Sequence, residues 1–364
     1  MFKVKFKEKY KILHLTSEIG DYCIGGAGTY MNEIYENKSD DMGFVYVHSY
    51  DVFQDIDVNK LPGEKDIIVM HKEECSKLLQ LDFDILVVHF YDLFFCITKE
   101  LLNKKKVVYV IHSVPTPEPM PTYDPFGGNF TIRYAFEQLC EHSNLIICVS
   151  DAERKKLLSI YPRFDDKTKV VYNGITKKSR GIINTNYKSS RQKFGFIGRI
   201  DYRKGILEMF KEFVKIDGEL YIACVDNDPF YMSQIINYLE AVDMKSRVHF
   251  LGWCVGKRKE NFFEFIDALI IPSLYEPFGY VVLEAMQYSV PIICSSNGGL
   301  KEIIGEYKYQ YNPYIEGELL EQIICFKKDS NDIIDKQQEM LSKRAEEFTS
   351  KKMSERYSEI WNEL

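Results

Sequence analysis

The sequence predicts an α/β protein made of two doubly wound parallel sheets. Short β-rich runs recur between helical patterns along its 364 residues. Several of these runs, such as YKILHLT, DILVVHF and KVVYVIHS, are almost continuously apolar, which is typical of strands covered on both faces. Strands that alternate with helical patterns indicate βα units, and βα units build parallel sheets.

A polar stretch separates two such halves. Residues 175–193, ITKKSRGIINTNYKSSRQK, contain no acidic residue and little periodicity, which is typical of a linker. Beyond it the alternation of β-rich runs with helical patterns resumes, and the runs are KFGFIGRI, ELYIACV, RVHFLGW, DALIIPS and PIICSS. We expect a first Rossmann-like domain at 1–175, a linker at 176–193, a second at 194–345, and a C-terminal helix at 346–364 that packs back on the first. The cleft between two such domains is the expected active site.

Composition excludes some classes of function. A formal net charge of -7 and a pI near 5.7 give no overall footprint for nucleic acid. Basic clusters at 3–11, 104–106 and 154–156 are interpreted as solvated faces, with contact to an anionic membrane surface as the alternative.

The nine cysteines form no C-x-x-C pair, and several lie in apolar runs, which predicts buried free thiols in a reducing compartment. The first residues lack the apolar stretch of a signal peptide, and no run approaches a membrane span of about 20 apolar residues. We therefore expect a cytoplasmic protein, with peripheral contact at the inner face of the membrane as an option.

The stretch EPFGYVVLE places two acids around the predicted start of a helix. Pro277 suits the first helical position, since its missing N–H would be unbonded there. The first free N–H groups, near Phe278, Gly279 and Tyr280, would form an anion site. Glu284 would accept hydrogen bonds from a ribose diol, and Glu276 would face another part of the ligand. Taken alone, the stretch also fits a surface helix with two ordinary acids.

A second loop supplies positive charge. In FGFIGRIDYRKGILEMF, Arg199 follows a β-rich run and Lys204 precedes an amphipathic helix. A planar guanidinium and a compact ammonium together would neutralise a leaving diphosphate. Taken alone, they also fit solvated surface cations.

The first half offers weaker signals. A glycine-rich loop at Gly25, Gly26, Ala27 and Gly28 lies between a predicted strand and a helix and would let backbone N–H groups approach a phosphate or a sugar. The dinucleotide motif is incomplete, because position 31 is Met. His112 ends another predicted strand, where a structural role is the more common one.

Taken together, these segments resemble a known family. The motifs GGAG, IHS, VSDAERKKL, VVYNGI, FIGRIDYRKG, HFLGW and IIPSLYEPFGYVVLEAMQYSVPIICSSNGGLKEII look like a retaining glycosyltransferase of family 4, a group 1 glycosyltransferase with the GT-B fold. They follow the family's order from residue 12 to about residue 304. The last segment is the most specific.

The resemblance implies a role for each candidate residue. Arg199 and Lys204 match the family's diphosphate-binding pair, Glu284 the acid at the nucleotide ribose, and Glu276 the acid beside the donor sugar. The loop at Gly25, Gly26 and Ala27 matches the one that closes over the donor, and His112 the histidine at the donor sugar. The segment from Trp253 to Val255 falls where the family's backbone meets the base.

The resemblance also implies the reaction: a sugar moves from a nucleotide diphosphate sugar to an acceptor hydroxyl with retention of the anomeric configuration. Glu276, His112, Arg199 and Lys204 would be the catalytic set. A hexosyl or N-acetylhexosaminyl donor linked to UDP is the one we expect, although the base stays open between uracil, guanine and adenine. The acceptor stays open between a glycan, a lipid, a protein and a small molecule.

Three alternatives stay open from the sequence. The same architecture fits a sugar-nucleotide epimerase, and it fits a catalytically silent partner, against which the intact acids and cations count. An NAD-linked dehydrogenase is disfavoured by the incomplete glycine motif.

We expect no metal cofactor. The D-x-D triplets begin at Asp55, Asp82 and Asp226. The second precedes a predicted strand, at the edge opposite the loops of the site. The first lies in a polar stretch with no matched cation or glycine loop, and the third follows a predicted strand but has no third ligand in view. Arg199, Lys204 and the helix N-terminus would supply positive charge instead.

Overall fold

A computed structural model describes residues 9–23, 25–48, 56–63, 67–115, 128–177, 192–226 and 228–364. The chain folds into two compact units, Met1–Gly174 with Ser350–Leu364, and Ile175–Thr349. Most of the predicted linker at 176–193 lies outside the described residues.

The first unit is built on a seven-stranded sheet of order β3-β2-β1-β4-β5-β6-β7, and all of its strand pairs are parallel. Its strands are β1 (Tyr10–Thr16), β2 (Met42–His48), β3 (Ile67–His71), β4 (Phe83–Val88), β5 (Lys106–Ile111), β6 (Leu145–Cys148) and β7 (Thr168–Val170). Its helices include α1 (Gly26–Glu36), α2 (Lys99–Lys104), α3 (Gly128–His142) and α4 (Asp151–Ile160). The strands are apolar on both sides because helices cover both faces.

The second unit has a six-stranded parallel sheet of order β10-β9-β8-β11-β12-β13. Its strands are β8 (Lys193–Ile200), β9 (Glu219–Asp226), β10 (Val248–Phe250), β11 (Ala268–Ile271), β12 (Ile292–Ser295) and β13 (Gln310–Tyr311). Its helices are α5 (Ile206–Phe213), α6 (Pro229–Ala241), α7 (Gly256–Phe265), α8 (Tyr280–Gln287), α9 (Gly299–Ile304), α10 (Glu318–Lys328) and α11 (Asn331–Ala345). The sequence did not predict β13, since two residues are too few to form a pattern.

Short 3-10 segments connect several of these elements. They cover Val58–Lys60, Lys72–Gln80, Tyr91–Cys96, Pro162–Lys167, Tyr202–Lys204 and Lys245–Arg247.

The last helix, α12 (Ser350–Glu363), groups with the first unit. It begins later than the predicted boundary at residue 346. Residues 346 and 347 instead form a turn after α11, in which the Glu347 N–H donates to the Arg344 carbonyl (3.1 Å). The next residues are held by Ile175 in the second unit, where the Ile175 N–H donates to the Phe348 carbonyl (3.0 Å) and Ile175 forms a parallel bridge with Thr349. In the first unit, the Tyr30 hydroxyl donates to the Tyr357 hydroxyl at 2.7 Å, and both residues are buried.

All nine cysteines are free thiols; Cys23 and Cys325 are partly exposed and the others are buried. In the part of the chain that the structure describes, no helix is both long enough and apolar enough to cross a membrane.

Candidate active site

The candidate site of the second unit lies where its strand order reverses. Strand β8 pairs with β9 on one side and with β11 on the other, so the loops that follow β8 and β11 leave the same edge of the sheet side by side. Ligands of doubly wound sheets bind at this switch point. The two loops touch, because the Leu274 N–H donates to the Arg203 carbonyl at 2.8 Å.

These loops bring three of the predicted residues together. Arg199 lies inside β8 rather than after it, because the pairing with β9 continues to Ile200. Lys204 lies in the 3-10 segment Tyr202–Lys204, and Glu276 follows β11.

The Lys204 ammonium donates a hydrogen bond to the Glu276 carboxylate, with 2.5 Å between Nζ and Oε2. Both side chains are 19% exposed, so this ion pair is largely withdrawn from water. Burial by itself would raise the pKa of Glu276, but the charge and hydrogen bond of Lys204, with the charges of Arg203 and Arg199, hold that pKa below its ordinary value. Glu276 is therefore an anion at neutral pH.

The sequence analysis missed two charged neighbours. Asp201 lies between two guanidinium groups, 3.6 Å from Arg199 and 3.9 Å from Arg203. The segment from Arg199 to Lys204 is thus a dense ion network at the mouth of the sheet. The letters RIDYRK contain this alternation of charge, which was the available signal.

The prediction that Pro277 occupies the first position of a helix is wrong. Helix α8 begins at Tyr280, and Gly279 before it has φ of 115°. The backbone before Pro277 is held in another contact, because the Glu276 carbonyl accepts a hydrogen bond from the Gly299 N–H at 2.8 Å. The amino end of α8 starts at Gly279, where the absence of a side chain permits the left-handed conformation.

Two of the predicted donor-binding residues have buried side chains, which leaves only their backbone for contact with a donor. The side chains of Phe278 and Tyr280 are buried and pack against each other, with ring centroids 5.6 Å apart.

Glu284 lies on α8 and has a partner that the sequence analysis did not identify. The ammonium group of Lys259, on α7, donates to Oε1 of Glu284 at 2.7 Å. The Glu284 side chain is 13% exposed and that of Lys259 is 31% exposed. The structure therefore fixes one carboxylate oxygen of Glu284 with a cation from the neighbouring helix.

The predicted base-contacting segment follows β10. Trp253 is 36% exposed and Val255 is 55% exposed, whereas Cys254 between them is buried. Val255 is also the N-cap residue of α7, the helix that carries Lys259. The exposed apolar side chains of Trp253 and Val255 thus lie on the loop that enters the helix of Lys259.

The predicted residues of the first unit occupy the carboxyl edge of its sheet. Gly25 is the N-cap of α1, in an extended conformation, and Gly26 and Ala27 begin the helix that follows β1. His112 follows β5, and its imidazole lies 4.8 Å from the Tyr30 ring, centroid to centroid. Burial lowers the pKa of His112 to about 3, so this imidazole is neutral at physiological pH.

His112 belongs to a cluster that the sequence analysis did not assemble. His14 Nδ1 lies 2.9 Å from His89 Nε2, and both residues are buried. The His89 ring lies 5.6 Å from that of His112. Burial also lowers the pKa of His14 to about 3 and, together with the neighbouring histidines, places the pKa of His89 well below its ordinary value. Histidines within or after apolar runs of three predicted strands were the available signal.

Within the described ranges, no group of three His, Cys, Asp or Glu side chains has an arrangement suited to a metal ion. The acids of the second D-x-D triplet lie at the amino edge of the first sheet, because Phe83 between them begins β4. Asp55 lies outside the described residues. Asp228 caps α6 and accepts a hydrogen bond from the Tyr231 N–H at 3.0 Å.

Comparison with known families covers both units. The family model for glycosyl transferases group 1 matches residues 182–348, and that for glycosyltransferase family 4 matches residues 61–178. An uncharacterized glycosyltransferase of Methanocaldococcus jannaschii is 33% identical over 202 residues, which are 50% of this chain and 51% of that protein. This chain therefore spans about half the length of that relative.

Solved structures share the fold over nearly all of the chain. Anabaena HepE in complex with UDP-glucose superposes with a TM-score of 0.79 at 19% identity, over 97% of this chain and all (100%) of that one. Sucrose-phosphate synthase from Thermosynechococcus elongatus gives a TM-score of 0.78 at 16% identity, over 98% and 99% of the two chains. At these identities the likeness establishes the fold.

Two parallel α/β units, with an ion network at the switch point of the second, have the GT-B fold. The chain belongs to the group 1, family 4 glycosyltransferases, as both family models and the archaeal relative indicate.

Proposed function

We propose that this protein transfers a sugar from a nucleotide diphosphate sugar to an acceptor hydroxyl and retains the anomeric configuration. The observation that carries the proposal is the buried Lys204–Glu276 ion pair beside Arg199, at the switch point of the second sheet. An anion and cations in this arrangement suit a reaction in which positive charge develops on the sugar and negative charge on the diphosphate.

The donor would lie across the carboxyl edge of the second sheet. Arg199 and Lys204 would bind the diphosphate, Glu284 would accept hydrogen bonds from the ribose, and the segment Trp253–Val255 would contact the base. The complex of HepE with UDP-glucose supports a UDP-linked sugar as the first donor to test. In the first unit, Gly25–Ala27 and His112 would contact the sugar and the acceptor.

In the proposed step, the bond between the anomeric carbon and the diphosphate oxygen breaks, and its electron pair stays on the diphosphate. The acceptor hydroxyl attacks the same face of the sugar and passes its proton to the leaving diphosphate. Glu276 would stabilise the oxocarbenium-like transition state without bonding to it. Preorganised charge of this kind is commonly the largest contribution to catalysis.

Cations of the chain would hold the diphosphate, so we propose that turnover needs no divalent metal. We further propose a cytoplasmic protein whose acceptor is a glycan, a lipid-linked or protein-linked group, or a small molecule.

A panel of nucleotide sugars tests the proposal. The protein is first titrated with UDP, GDP and ADP by calorimetry to identify the base, and then incubated with matching sugar nucleotides and an acceptor library, with and without excess EDTA. Transfer with retained configuration that survives EDTA is expected. A new epimer without transfer would identify an epimerase, binding without turnover a silent partner, and absence of nucleotide binding would refute the donor site. Activity lost in EDTA and restored by Mn²⁺ or Mg²⁺ would refute the metal-independent diphosphate site.

A further inference from the structure

Two basic clusters of the sequence meet in a cavity of the first unit. The cavity has a volume of about 330 Å³, at the lower end of the range of ligand pockets. Its lining includes Lys11, Asp84, Lys104, Lys105, Lys106 and Trp361. It lies at the amino edge of β1, β4 and β5, opposite the edge that carries His112.

The lining is predominantly cationic. Lys104 pairs with Glu100 at 2.6 Å, and Lys11 donates a hydrogen bond to Asn362 at 3.3 Å. The one acidic side chain among the described lining residues, Asp84, is itself paired with Lys9 at 3.2 Å. Ammonium groups therefore outnumber carboxylates around the cavity, which favours an anion inside it.

One residue of the cavity lining carries a buried hydrogen-bond donor. Trp361 is 4% exposed, and its indole ring stacks on Tyr357 with the centroids 5.3 Å apart. The indole nitrogen Nε1 is buried and has no hydrogen-bond acceptor among the described residues. An indole N–H is a donor only, and leaving a buried donor unsatisfied costs about 1–3 kcal/mol. An acceptor atom of a ligand would remove this cost.

We propose that this cavity binds a phosphate-bearing anion. A phosphate group offers several acceptor oxygens, which can receive hydrogen bonds from the indole N–H and from ammonium groups on different elements. Lysine binds phosphate as a point charge and needs no fixed planar geometry. Free phosphate and the headgroup of an anionic phospholipid share this chemistry. The site is separate from the proposed donor site and does not depend on it.

The first measurement is binding of free phosphate. In a Trp253→Phe background, Trp361 is the remaining one of the two tryptophans and reports on the cavity by fluorescence. Inorganic phosphate is titrated against chloride at equal ionic strength. The second measurement is co-sedimentation with vesicles of phosphatidylglycerol and, as a control, of phosphatidylcholine. Binding of inorganic phosphate, with or without binding to vesicles, identifies a free anion as the ligand. Binding to phosphatidylglycerol vesicles without binding of inorganic phosphate identifies a lipid headgroup.

Matched variants separate a specific cavity from general charge attraction. Lys11→Gln with Lys106→Gln should weaken binding about fivefold per lysine, the usual effect of one basic residue near an anionic surface. Lys155→Gln with Lys156→Gln makes the same change of net charge in the third basic cluster and should leave binding unchanged. Trp361→Phe keeps an aromatic ring and removes the N–H. Because it also removes the fluorescent reporter, its binding is measured by calorimetry and by vesicle co-sedimentation. It should weaken binding about tenfold, the value of a hydrogen bond to a charged group.

Three results would overturn the proposal. The first is that the protein binds neither inorganic phosphate nor phosphatidylglycerol vesicles. The second is an equal loss of binding in the control variant at Lys155 and Lys156. The third is an unchanged affinity in a folded Trp361→Phe variant.

Discussion

At the scale of single residues, Glu276 and Glu284 belong to one short segment but have different surroundings. Glu276 is paired with Lys204 beside further cations, whereas Glu284 is held by Lys259 on a neighbouring helix. Three cations, Lys204, Arg203 and Arg199, act on Glu276, whereas the bond to one ammonium group fixes Glu284.

We therefore expect the two acids to affect different kinetic constants. Glu276→Gln should lower kcat by about 10²–10³-fold, the usual cost of removing a preorganised charged or hydrogen-bonding group, with little change in donor affinity. Glu284→Gln should raise the donor KM about tenfold, because a ribose contact exists in both ground and transition states. Steady-state kinetics with a donor titration measure both effects. A Glu276→Gln enzyme with wild-type kcat would contradict the assignment.

Lys259 should act as a positioning residue for Glu284. It occupies Oε1 of the carboxylate, which leaves Oε2 for the proposed contact with the ribose. Lys259→Met should raise the donor KM about fivefold and leave kcat nearly unchanged, and Lys259→Arg should recover part of the loss. Lys257→Met is the matched control on the same helix, since Lys257 is 71% exposed and pairs with Glu260. An equal effect in the two Met variants would show that only general charge matters.

At the scale of elements, the loop after β8 is shaped by its contact with the end of β11. Gly205 has φ of 62°, and a Cβ atom there would lie 2.1 Å from the Pro272 carbonyl oxygen. This close approach keeps Lys204 and Glu276 on adjacent loops.

Gly205→Ala should therefore destabilise the protein by more than left-handed strain alone. That strain costs about 1–3 kcal/mol, and the collision with a backbone oxygen adds to it. Gly252→Ala is the control, because Gly252 has a similar φ of 69° and nothing lies within 4 Å of the position that an added Cβ would take. Urea unfolding of both variants gives the comparison. Equal decreases in the free energy of unfolding would mean that the contact between Gly205 and Pro272 adds nothing to the cost of the substitution.

The histidine cluster of the first unit predicts the response of stability to acid. Burial lowers the folded-state pKa of His14 and His112 from the ordinary value of 6.5 to about 3. Between these values the unfolded chain binds protons that the folded chain does not. The stabilising contribution is complete above pH 6.5 and is lost as the pH falls toward 3.

The expected slope is up to about 1.4 kcal/mol per pH unit for each histidine. Free energies of unfolding measured from pH 8 to pH 5 test this slope. In the His14→Leu variant the free energy of unfolding should fall less steeply with decreasing pH than in the wild type, because one of the buried histidines is missing. Parallel pH profiles for the wild type and this variant would contradict a neutral buried His14.

At the scale of the whole molecule, the chain returns to its first unit after completing the second. Helix α12 buries Met353, Tyr357, Ile360 and Trp361 in that unit. Removal of residues 350–364 should destabilise the first unit by more than about 5 kcal/mol, since each buried side chain contributes about 1.5–3 kcal/mol. This loss is comparable with the whole stability of a typical domain.

Calorimetry of a chain ending at Thr349 should show a lower melting temperature for the first unit and little change for the second. Tyr357→Phe is the mild control, because it removes only the hydrogen bond with Tyr30 and should cost about 1 kcal/mol. A truncated protein with an unchanged first transition would show that α12 adds no stability.

The sequence by itself determined the parallel sheets, nearly all of their strands and the loops that carry the candidate site. Apolar runs predict strands that are covered on both faces, and the change to polar residues or glycine after such a run marks the carboxyl end of the strand. These local signals made Arg199, Lys204, Glu276 and Glu284 candidates, and the resemblance to family 4 gave them their predicted roles. They failed at the start of α8, where the contact between Glu276 and Gly299 overrides the helix that Pro277 suggests.

Only the tertiary structure decided which residues lie together. Lys204 and Glu276 are 72 positions apart, and Lys259 and Glu284 are 25 apart. The first pair meets because β8 and β11 are neighbours, and the second because α7 and α8 bring their side chains together. The basic clusters at 11 and at 104–106 likewise meet because β1, β4 and β5 start at one edge of a sheet. Hydrophobic periodicity specifies that a segment is a strand but not which strand lies beside it, since that choice depends on how the connecting helices pack.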